Sequence, residues 1–186
     1  NLITGDNNPF SDVFLYTRAS GVTTRISVPS APSTSIPNGA SNAPYISATG
    51  SFVVFASVAS NLVANDDNDA CGSFSCSDIF LRDVAANTTT IMSLSTSETQ
   101  GNAASTEPSV SSDGRYIVYE SDATNMDQTV PDTNLTTDIF LRDRTAGTTR
   151  RVSLGSGNAQ GFFPSTAPRI SQDSNWVVFS TASDLL

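Results

Sequence analysis

The sequence predicts an all-β protein made of β-propeller blades, each with four short antiparallel strands. A block of four strand-like segments recurs at intervals of 66 residues (Asp12 to Asp78) and 60 residues (Asp78 to Asp138). No segment has the periodicity of an amphipathic helix. The composition agrees with this fold, because 38% hydrophobic residues among many Ser, Thr, Asn, Asp and Gly are typical of a turn-rich β protein rather than a disordered chain.

The last two strands of each block, which we call C and D, form a predicted hairpin. Strand C begins at an Asp that follows Ser or Thr and continues with Val or Ile, then Phe and Leu, while strand D is rich in Thr. The turn between them holds a residue that tolerates positive φ, as a tight hairpin requires. The copies of strand C begin at Asp12, Asp78 and Asp138, and the turn residues are Gly21, Asn87 and Gly147.

The first two strands, A and B, also recur as a pair. Strand A is predicted to begin at a proline, where the missing N–H costs least, and strand B follows after a turn. The prolines are Pro44, Pro108 and Pro168, and the strand B segments are 52–55, 116–119 and 176–179. The turn at 112–115 reads Ser-Asp-Gly-Arg, a strong hairpin signal, but the third copy has Ser174 in place of the glycine, which leaves its turn type open. The aromatic residues at repeated strand positions are expected to pack between blades: Tyr16, Phe52, Phe80, Tyr116, Phe140 and Trp176.

These segments divide one propeller region, 1–186, into about three repeats. Strands C and D of a split blade lie in 1–28, complete blades in 44–94 and 108–154, and strands A and B of a split blade in 168–181. Propellers usually have about four to eight blades. The chain also begins at Asn1 rather than Met. We therefore expect part of a larger ring, completed by the rest of a parent chain or by a second copy; a β-solenoid or β-sandwich is the alternative fold.

One repeat has a specific resemblance. The segments Ser-Ser-Asp-Gly-Arg-Tyr-Ile-Val-Tyr at 111–119 and Asp-Ile-Phe-Leu-Arg-Asp at 138–143 precede a Gly turn and a Thr-rich strand. This order resembles the repeat of the TolB-like, WD40-like (PD40) β-propellers, and the resemblance covers nearly the whole chain outside the linkers. It implies the fold and says little about function, because propellers serve many roles.

Charge and composition exclude several functions. A net charge of −9 argues against a nucleic-acid partner, and no apolar run is long enough for membrane insertion. The chain has no His and no Lys, which rules out a Ser-His-Asp triad, a His-ligated zinc ion, Schiff-base chemistry and a P-loop. With no recognisable pair of catalytic carboxylates either, we expect no enzyme activity from this chain.

The loops between strands B and C are acidic and suggest calcium. Alternating Asp and Asn oxygens in a tight loop suit a hard cation that takes about six to eight oxygen ligands. The alternative is that these side chains cap turns, with the last Asp of each loop serving only to start strand C. The candidate ligands are Asp6, Asn8 and Asp12 in the first loop, Asp67, Asp69 and Asp78 in the second, and Asp132, Asn134 and Asp138 in the third.

Two further features bear on location and binding. Cys71 and Cys76 are expected to form a local disulfide, which would place the chain in the periplasm, on the cell surface or outside the cell; two free thiols are the alternative. Phe162 and Phe163 have no counterpart in the other linkers, and they are either an exposed contact patch or a plug for the linker.

The functional prediction is a non-catalytic, extracytoplasmic β-propeller that binds a protein or a glycan and is stabilised by Ca²⁺. One alternative is a structural building block of a surface layer, a filament or a large complex. Another is an accessory propeller of a larger hydrolase.

Overall fold

A computed structural model describes residues 2–3, 7–66 and 76–185. The strands are β1 (Phe14–Thr17), β2 (Val22–Arg25), β3 (Ser41–Ile46), β4 (Phe52–Ser57), β5 (Asp78–Asp83), β6 (Thr88–Ile91), β7 (Ser105–Val110), β8 (Tyr116–Ser121), β9 (Asp138–Asp143), β10 (Thr148–Arg151), β11 (Ser165–Ile170) and β12 (Val177–Thr181). A single 3₁₀ turn, Ser156–Asn158, is the only helical element in these described ranges, and they hold no helix long and apolar enough to cross a membrane.

The strands form four antiparallel sheets, which confirms the predicted fold class. Strands β3 to β6 make a first complete blade and β7 to β10 a second complete blade, each with its strands in sequence order. Strands β1 and β2 form an N-terminal half-blade of types C and D, and β11 and β12 form a C-terminal half-blade of types A and B. The described part of the chain is therefore two blades between two complementary half-blades.

Strand A differs from the prediction at its start. Strands β3, β7 and β11 begin three residues before the proline, which lies inside the strand at a shift in register. The residue before each proline adopts positive φ: 47° at Ala43, 49° at Glu107 and 55° at Ala167. The proline is tolerated there because a β-bulge removes its position from the ladder of hydrogen bonds.

The hairpin turns follow the repeat even where the sequence departs from it. Gly50 and Gly114 have φ of 73° and 71°, and Ser174 at the third equivalent position has φ of 66°. The turn type is therefore retained without the glycine. The predicted positive φ at the turn between strands C and D is likewise confirmed at Gly21, Asn87 and Gly147.

The core lies between neighbouring sheets. Phe55 stacks on Phe80 with ring centroids 5.7 Å apart, and Tyr119 stacks on Phe140 at 6.2 Å. The first pair packs toward the N-terminal half-blade, together with Val13, and the second lies in the cluster shared by the two complete blades. Packing between blades is thus confirmed for Phe80 and Phe140, and Phe52 packs against the cluster shared by the two complete blades.

The expectation of packing is wrong for Tyr16 and Trp176. Tyr16 is 62% exposed and Trp176 is 71% exposed. Both lie in half-blades, whose outer sheet faces have no neighbouring blade in the described part of the chain. Their side chains occupy packing positions that this chain leaves uncovered.

Candidate functional site

The last Asp of each acidic loop is part of a repeated hydrogen-bonded clasp. In the second complete blade the Ser153 hydroxyl donates to Asp138 Oδ1 at 2.7 Å and accepts the Ile139 N–H at 3.0 Å. The hydroxyl thereby joins the end of strand D to the start of strand C. The same arrangement pairs Asp12 with Ser27 and Asp78 with Ser93. These contacts support the alternative in which the last Asp is structural.

An arginine lies between the carboxylates of the third loop. The Arg151 guanidinium has Nε 3.3 Å from Asp138 Oδ2 and Nη2 3.7 Å from Asp132 Oδ1. Its Cζ also lies 5.7 Å from the centroid of the Phe140 ring. All three charged side chains are almost fully buried, with exposures of 1%, 2% and 4% for Arg151, Asp132 and Asp138. The guanidinium therefore places a positive charge between the two carboxylates that were predicted to bind calcium.

The first loop has the same design. Arg25, which is equivalent to Arg151, has Nη1 3.2 Å from Asp12 Oδ2. Asn8 donates its amide to the same Asp12 oxygen at 2.9 Å and accepts the Phe10 N–H at 2.8 Å. An amide that donates here and closes a turn with its oxygen is not arranged as a calcium ligand. The residues that the structure describes in these two loops fit an arginine better than a calcium ion.

The second loop lacks the arginine. Its equivalent residue is Ile91, and Asp78 is 3% exposed. Of the other predicted residues, Asp6, Asp67, Asp69 and Cys71 lie outside the described residues. Cys76 is buried at 2% exposure. Calcium binding and the disulfide therefore stay predictions, and the described residues contain no cluster of three or more Asp, Glu, Cys or His side chains suited to a metal.

Burial and hydrogen bonding act in opposite directions on the acidic groups around Arg151. Burial raises the pKa of Asp138, and this outweighs its hydrogen bond from Ser153 and the nearby Arg151 charge. Burial also acts to raise the pKa of Asp127, but hydrogen bonds from Thr129, Val130 and the Arg151 N–H together lower it. Asp127 thereby ties the loop to β10, a role that sequence reasoning missed because Asp127 has no acidic counterpart in the other repeats.

A different kind of site lies in the linker before β11. In the first complete blade Asn38 fastens the linker before β3 to the segment that follows β4: its amide donates to Ser60 Oγ at 2.8 Å and its oxygen accepts the Ser60 N–H at 2.9 Å. In the second, Asn102 makes the same two bonds to Thr124, both at 2.9 Å. Phe162 holds the third equivalent position and makes neither bond.

Phe162 is the most exposed large apolar residue of the described chain, at 88%. Phe163 is 57% exposed, and Ser183 bonds its N–H at 2.9 Å in place of the missing asparagine clasp. Leu135 on the neighbouring loop is 76% exposed. We call Phe162, Phe163 and Leu135 the apolar patch. Of the two alternatives for the phenylalanines, an exposed contact patch or a plug for the linker, these values favour the exposed arrangement, and Leu135 was not foreseen.

A polar cleft adjoins the apolar patch. It has a volume of about 450 Å³ and is lined by Thr133, Asn134, Asn158, Gln160, Gly161 and Phe162. Gln160 fixes its wall by accepting the Thr133 N–H at 3.0 Å and donating to the Pro131 carbonyl at 2.6 Å. Asn134 donates to the Gly161 carbonyl at 2.8 Å. The cleft is thus held by hydrogen bonds between two loops, with Phe162 at its edge.

The chain is similar in structure to known propellers. TolB from Acinetobacter baumannii matches with a TM-score of 0.50 and 17% identity over 90% of this chain and 31% of that chain. A TolB from Agrobacterium tumefaciens matches with a TM-score of 0.48 and 19% identity over 87% and 43% of the two chains. The β-propeller domain of the Trilobed protease from Pyrococcus furiosus, described as having an open velcro topology, matches with 0.48 and 11% over 76% and 34%.

No protein-family model matches the sequence, and no curated protein matches it significantly. The chain spans about a third of the length of the Acinetobacter TolB. The likeness to that structure confirms the TolB-like, WD40-like propeller fold that the repeat indicated.

Proposed function

We propose that this chain is a non-catalytic, extracytoplasmic binding module that captures a protein partner at the apolar patch. A single comparison carries the proposal: two linkers use an asparagine to close their junction, and the third replaces it with a phenylalanine exposed at 88%. Each lost hydrogen bond costs about 1 kcal/mol, and a solvent-exposed ring returns nothing to the fold. A residue that weakens its own domain in this way is typical of a functional surface.

The chemistry of the patch favours a protein segment with an apolar or aromatic anchor. Aromatic side chains dominate the binding energy of protein interfaces, where they fill pockets that exclude water. The adjoining cleft supplies exposed polar side chains, Thr133 and Asn158, for the flanking backbone of such a segment. A glycan stacked on Phe162 is the alternative ligand. The proposed extracytoplasmic location rests on the predicted disulfide between Cys71 and Cys76, because disulfides persist in oxidising compartments.

The experiment uses Phe162→Asn, which introduces the residue found in the other two linkers. The wild-type chain and the variant are panned against a peptide display library and against a glycan array. We expect peptides with an aromatic or apolar anchor to bind the wild type, and to bind the variant at least about tenfold more weakly. The variant should also unfold at a higher denaturant concentration, because it regains the asparagine clasp.

Phe10→Ala is the matched control, since Phe10 is another exposed phenylalanine, at 44%, and it lies in the loop before β1. It should leave peptide binding unchanged. Peptides that bind the Phe162→Asn chain as well as the wild type would contradict the proposed site. Enrichment of glycans alone, lost in the same variant, would assign the patch to the glycan alternative.

A further inference from the structure

A cavity lies between β2 and the first complete blade, and the linker that joins them forms part of its wall. Its volume is about 310 Å³. Two cationic side chains, Arg25 and Arg82, are among the residues that line it. Arg25 Nη1 lies 3.2 Å from Asp12 Oδ2, so the charge of Arg25 is compensated. The charge that the cavity could offer to a ligand is therefore that of Arg82.

A cavity of the same kind lies between the two complete blades. It has a volume of about 550 Å³, and its lining includes residues of β6 together with Glu98 and Arg142. Arg82 and Arg142 are equivalent residues of strand C in the two complete blades. Because a complete blade lies on each side of this second cavity, such a cavity is a feature of the junction between consecutive blades. The two cavities can therefore be compared residue by residue.

The two arginines make the same pair of hydrogen bonds. Arg82 Nη1 donates to the Pro29 carbonyl at 3.2 Å and to Thr89 Oγ1 at 3.0 Å. Arg142 Nη1 donates to the equivalent carbonyl and hydroxyl oxygens at 3.0 and 3.3 Å. In each case the carbonyl belongs to the linker and the hydroxyl to strand D. These bonds fasten the linker to the blade that follows it, and they are the structural role that the two arginines share.

The third hydrogen bond of the two arginines differs. Arg142 Nη2 donates to Glu98 Oε1 at 2.6 Å, which forms an ion pair. Arg82 Nη2 donates instead to the neutral Asn87 Oδ1. Counted from the linker carbonyl that each arginine bonds, Pro32 holds the position of Glu98. In the part of the chain that the structure describes, no carboxylate forms an ion pair with Arg82.

The charge of Arg82 is also buried. The residue is 5% exposed, and the carboxylate of its neighbour Asp83 accepts the Ala86 N–H at 2.8 Å. Burial lowers the pKa of Arg82, and the charge of Asp83 offsets only part of this effect. A buried charge is costly unless an opposite charge pairs with it. A guanidinium carries more N–H donors than the bonds of Arg82 to described residues use, so donors remain for an anion in the cavity.

We propose that this cavity binds the carboxylate of a small organic acid, which pairs with Arg82 as Glu98 pairs with Arg142. The Asn87 side chain is exposed, so its amide can rotate and donate an N–H to the same carboxylate. Hydrogen bonds between a guanidinium and a carboxylate are strong and frequently bidentate. A carboxylate is expected rather than another anion because the chain itself pairs the equivalent arginine with one.

The other walls of the cavity suit a small molecule. Ser33 and Thr34 bring hydroxyl groups to it, and Ile26 and Val28 bring apolar side chains. A volume of about 310 Å³ is near the lower end of the range for small-molecule sites. An acid with a short aliphatic chain would place its carboxylate on Arg82 and its carbon atoms against the apolar wall. The site shares no residue with the apolar patch.

An NMR titration of the 186-residue chain tests the proposal. Sodium acetate and sodium succinate are added at pH 7 while sodium chloride keeps the ionic strength constant, and the Arg Nε–H and backbone amide signals are followed. We expect saturable shifts at Arg82, Ser33 and Thr34. Asn87→Asp places a carboxylate where Arg82 already has a hydrogen-bond acceptor. It should therefore weaken the binding of both acids at least about tenfold, because like charges repel.

Asn158→Asp is the matched control. Asn158 is also exposed, and its φ of 64° is close to the 59° of Asn87, so the two variants carry the same change in similar turns. The control should bind both acids as the wild type does. Shifts in the wild type that do not saturate, or equal binding by the two variants, would overturn the site.

Two further probes separate the possible ligands. Inorganic phosphate that binds more tightly than acetate at the same ionic strength would overturn the assignment to a carboxylate. The peptide acetyl-Ala-Glu-Ala-amide, with its Gln counterpart as the blank, offers the same group on a protein side chain. We expect it to bind more weakly than succinate, and tighter binding would overturn a small acid as the source of the carboxylate. None of these measurements involves Phe162, so failure here and failure at the apolar patch are distinguishable.

Discussion

Replacing Arg151 with glutamine should strongly destabilise the second complete blade. Its side chain is 1% exposed and lies against two carboxylates, those of Asp132 and Asp138, that are 2% and 4% exposed. Removing one member of a buried ion pair costs about 3–5 kcal/mol, because an uncompensated charge stays buried. The separations of 3.3 and 3.7 Å exceed those of short charged hydrogen bonds, so we expect the lower end, about 3 kcal/mol.

Urea unfolding at pH 7 in EDTA measures this loss, and thermal unfolding checks it. In a domain of this size a loss of about 3 kcal/mol lowers Tm by roughly 6–12 °C. Arg150→Gln is the matched control, because Arg150 is the exposed neighbour in the same strand and its replacement should cost less than about 0.5 kcal/mol. If Arg151→Gln came within about 1 kcal/mol of this control, the guanidinium would not be the counter-ion of the buried carboxylates.

The pH dependence and calcium provide independent checks on the same variant. Burial raises the pKa of Asp138 above its usual value, so the folded state holds the proton more tightly than the unfolded state. Loss of the guanidinium should strengthen this effect, and the variant should recover part of its stability as the pH falls from 7 to about 4. If the carboxylates are able to take calcium at all, added CaCl₂ should stabilise Arg151→Gln more than the wild type. Equal responses would indicate that this loop does not bind calcium even with its arginine removed.

Two further predictions concern the turns of the second complete blade. Gly114→Ala should destabilise the fold by roughly 2–3 kcal/mol, since its φ is +71° and an added Cβ would lie 2.4 Å from Phe52 Cδ2. Its control is Gly50→Ala, which should cost about 1 kcal/mol because Gly50 has φ of +73° but no neighbour within 4 Å. Equal losses of stability in urea unfolding would argue against the clash with Phe52. Hydrogen bonds from Arg115 lower the pKa of Asp143 from 3.8 to about 2, so its contribution to stability is complete above pH 4 and is lost as the pH falls through 2. Asp143→Asn should therefore be less stable at pH 7 and show a flatter loss of stability between pH 4 and pH 2, whereas an unchanged acid profile would contradict the role of this pair.

The repeat made the fold predictable because each strand position is present in several copies. The turn between strands C and D was predicted to have positive φ from three equivalent residues, and the structure confirms it at Gly21, Asn87 and Gly147. The start of strand A was misplaced because a β-bulge is not encoded by a residue type. Ala43 and Glu107 adopt positive φ there, although neither side chain favours it.

The acidic loops were harder to interpret for a different reason. Asp132, Asn134 and Asp138 are spaced like metal ligands, but the group that lies among them comes from strand D, thirteen residues beyond the last of them. Arg25 and Arg151 occupy equivalent positions, and this repetition was the available signal. The role of these arginines could not be inferred from the repetition alone. It depends on the tertiary structure, in which the end of strand D lies beside the start of strand C and the arginine side chain is directed into the acidic loop.

Comparison of equivalent positions also separates two kinds of exposed residue. Val178 is exposed at a position that is buried in both complete blades, so its exposure reflects a missing neighbour of the same kind. Phe162 is exposed at a position where the other repeats place a hydrogen-bonding asparagine at the surface. A neighbouring blade would therefore not bury the Phe162 side chain. A residue of the first kind would be buried by a neighbouring blade, whereas a residue of the second kind would be buried only by a partner other than a blade. The open edges of the half-blades and the apolar patch are therefore separate surfaces.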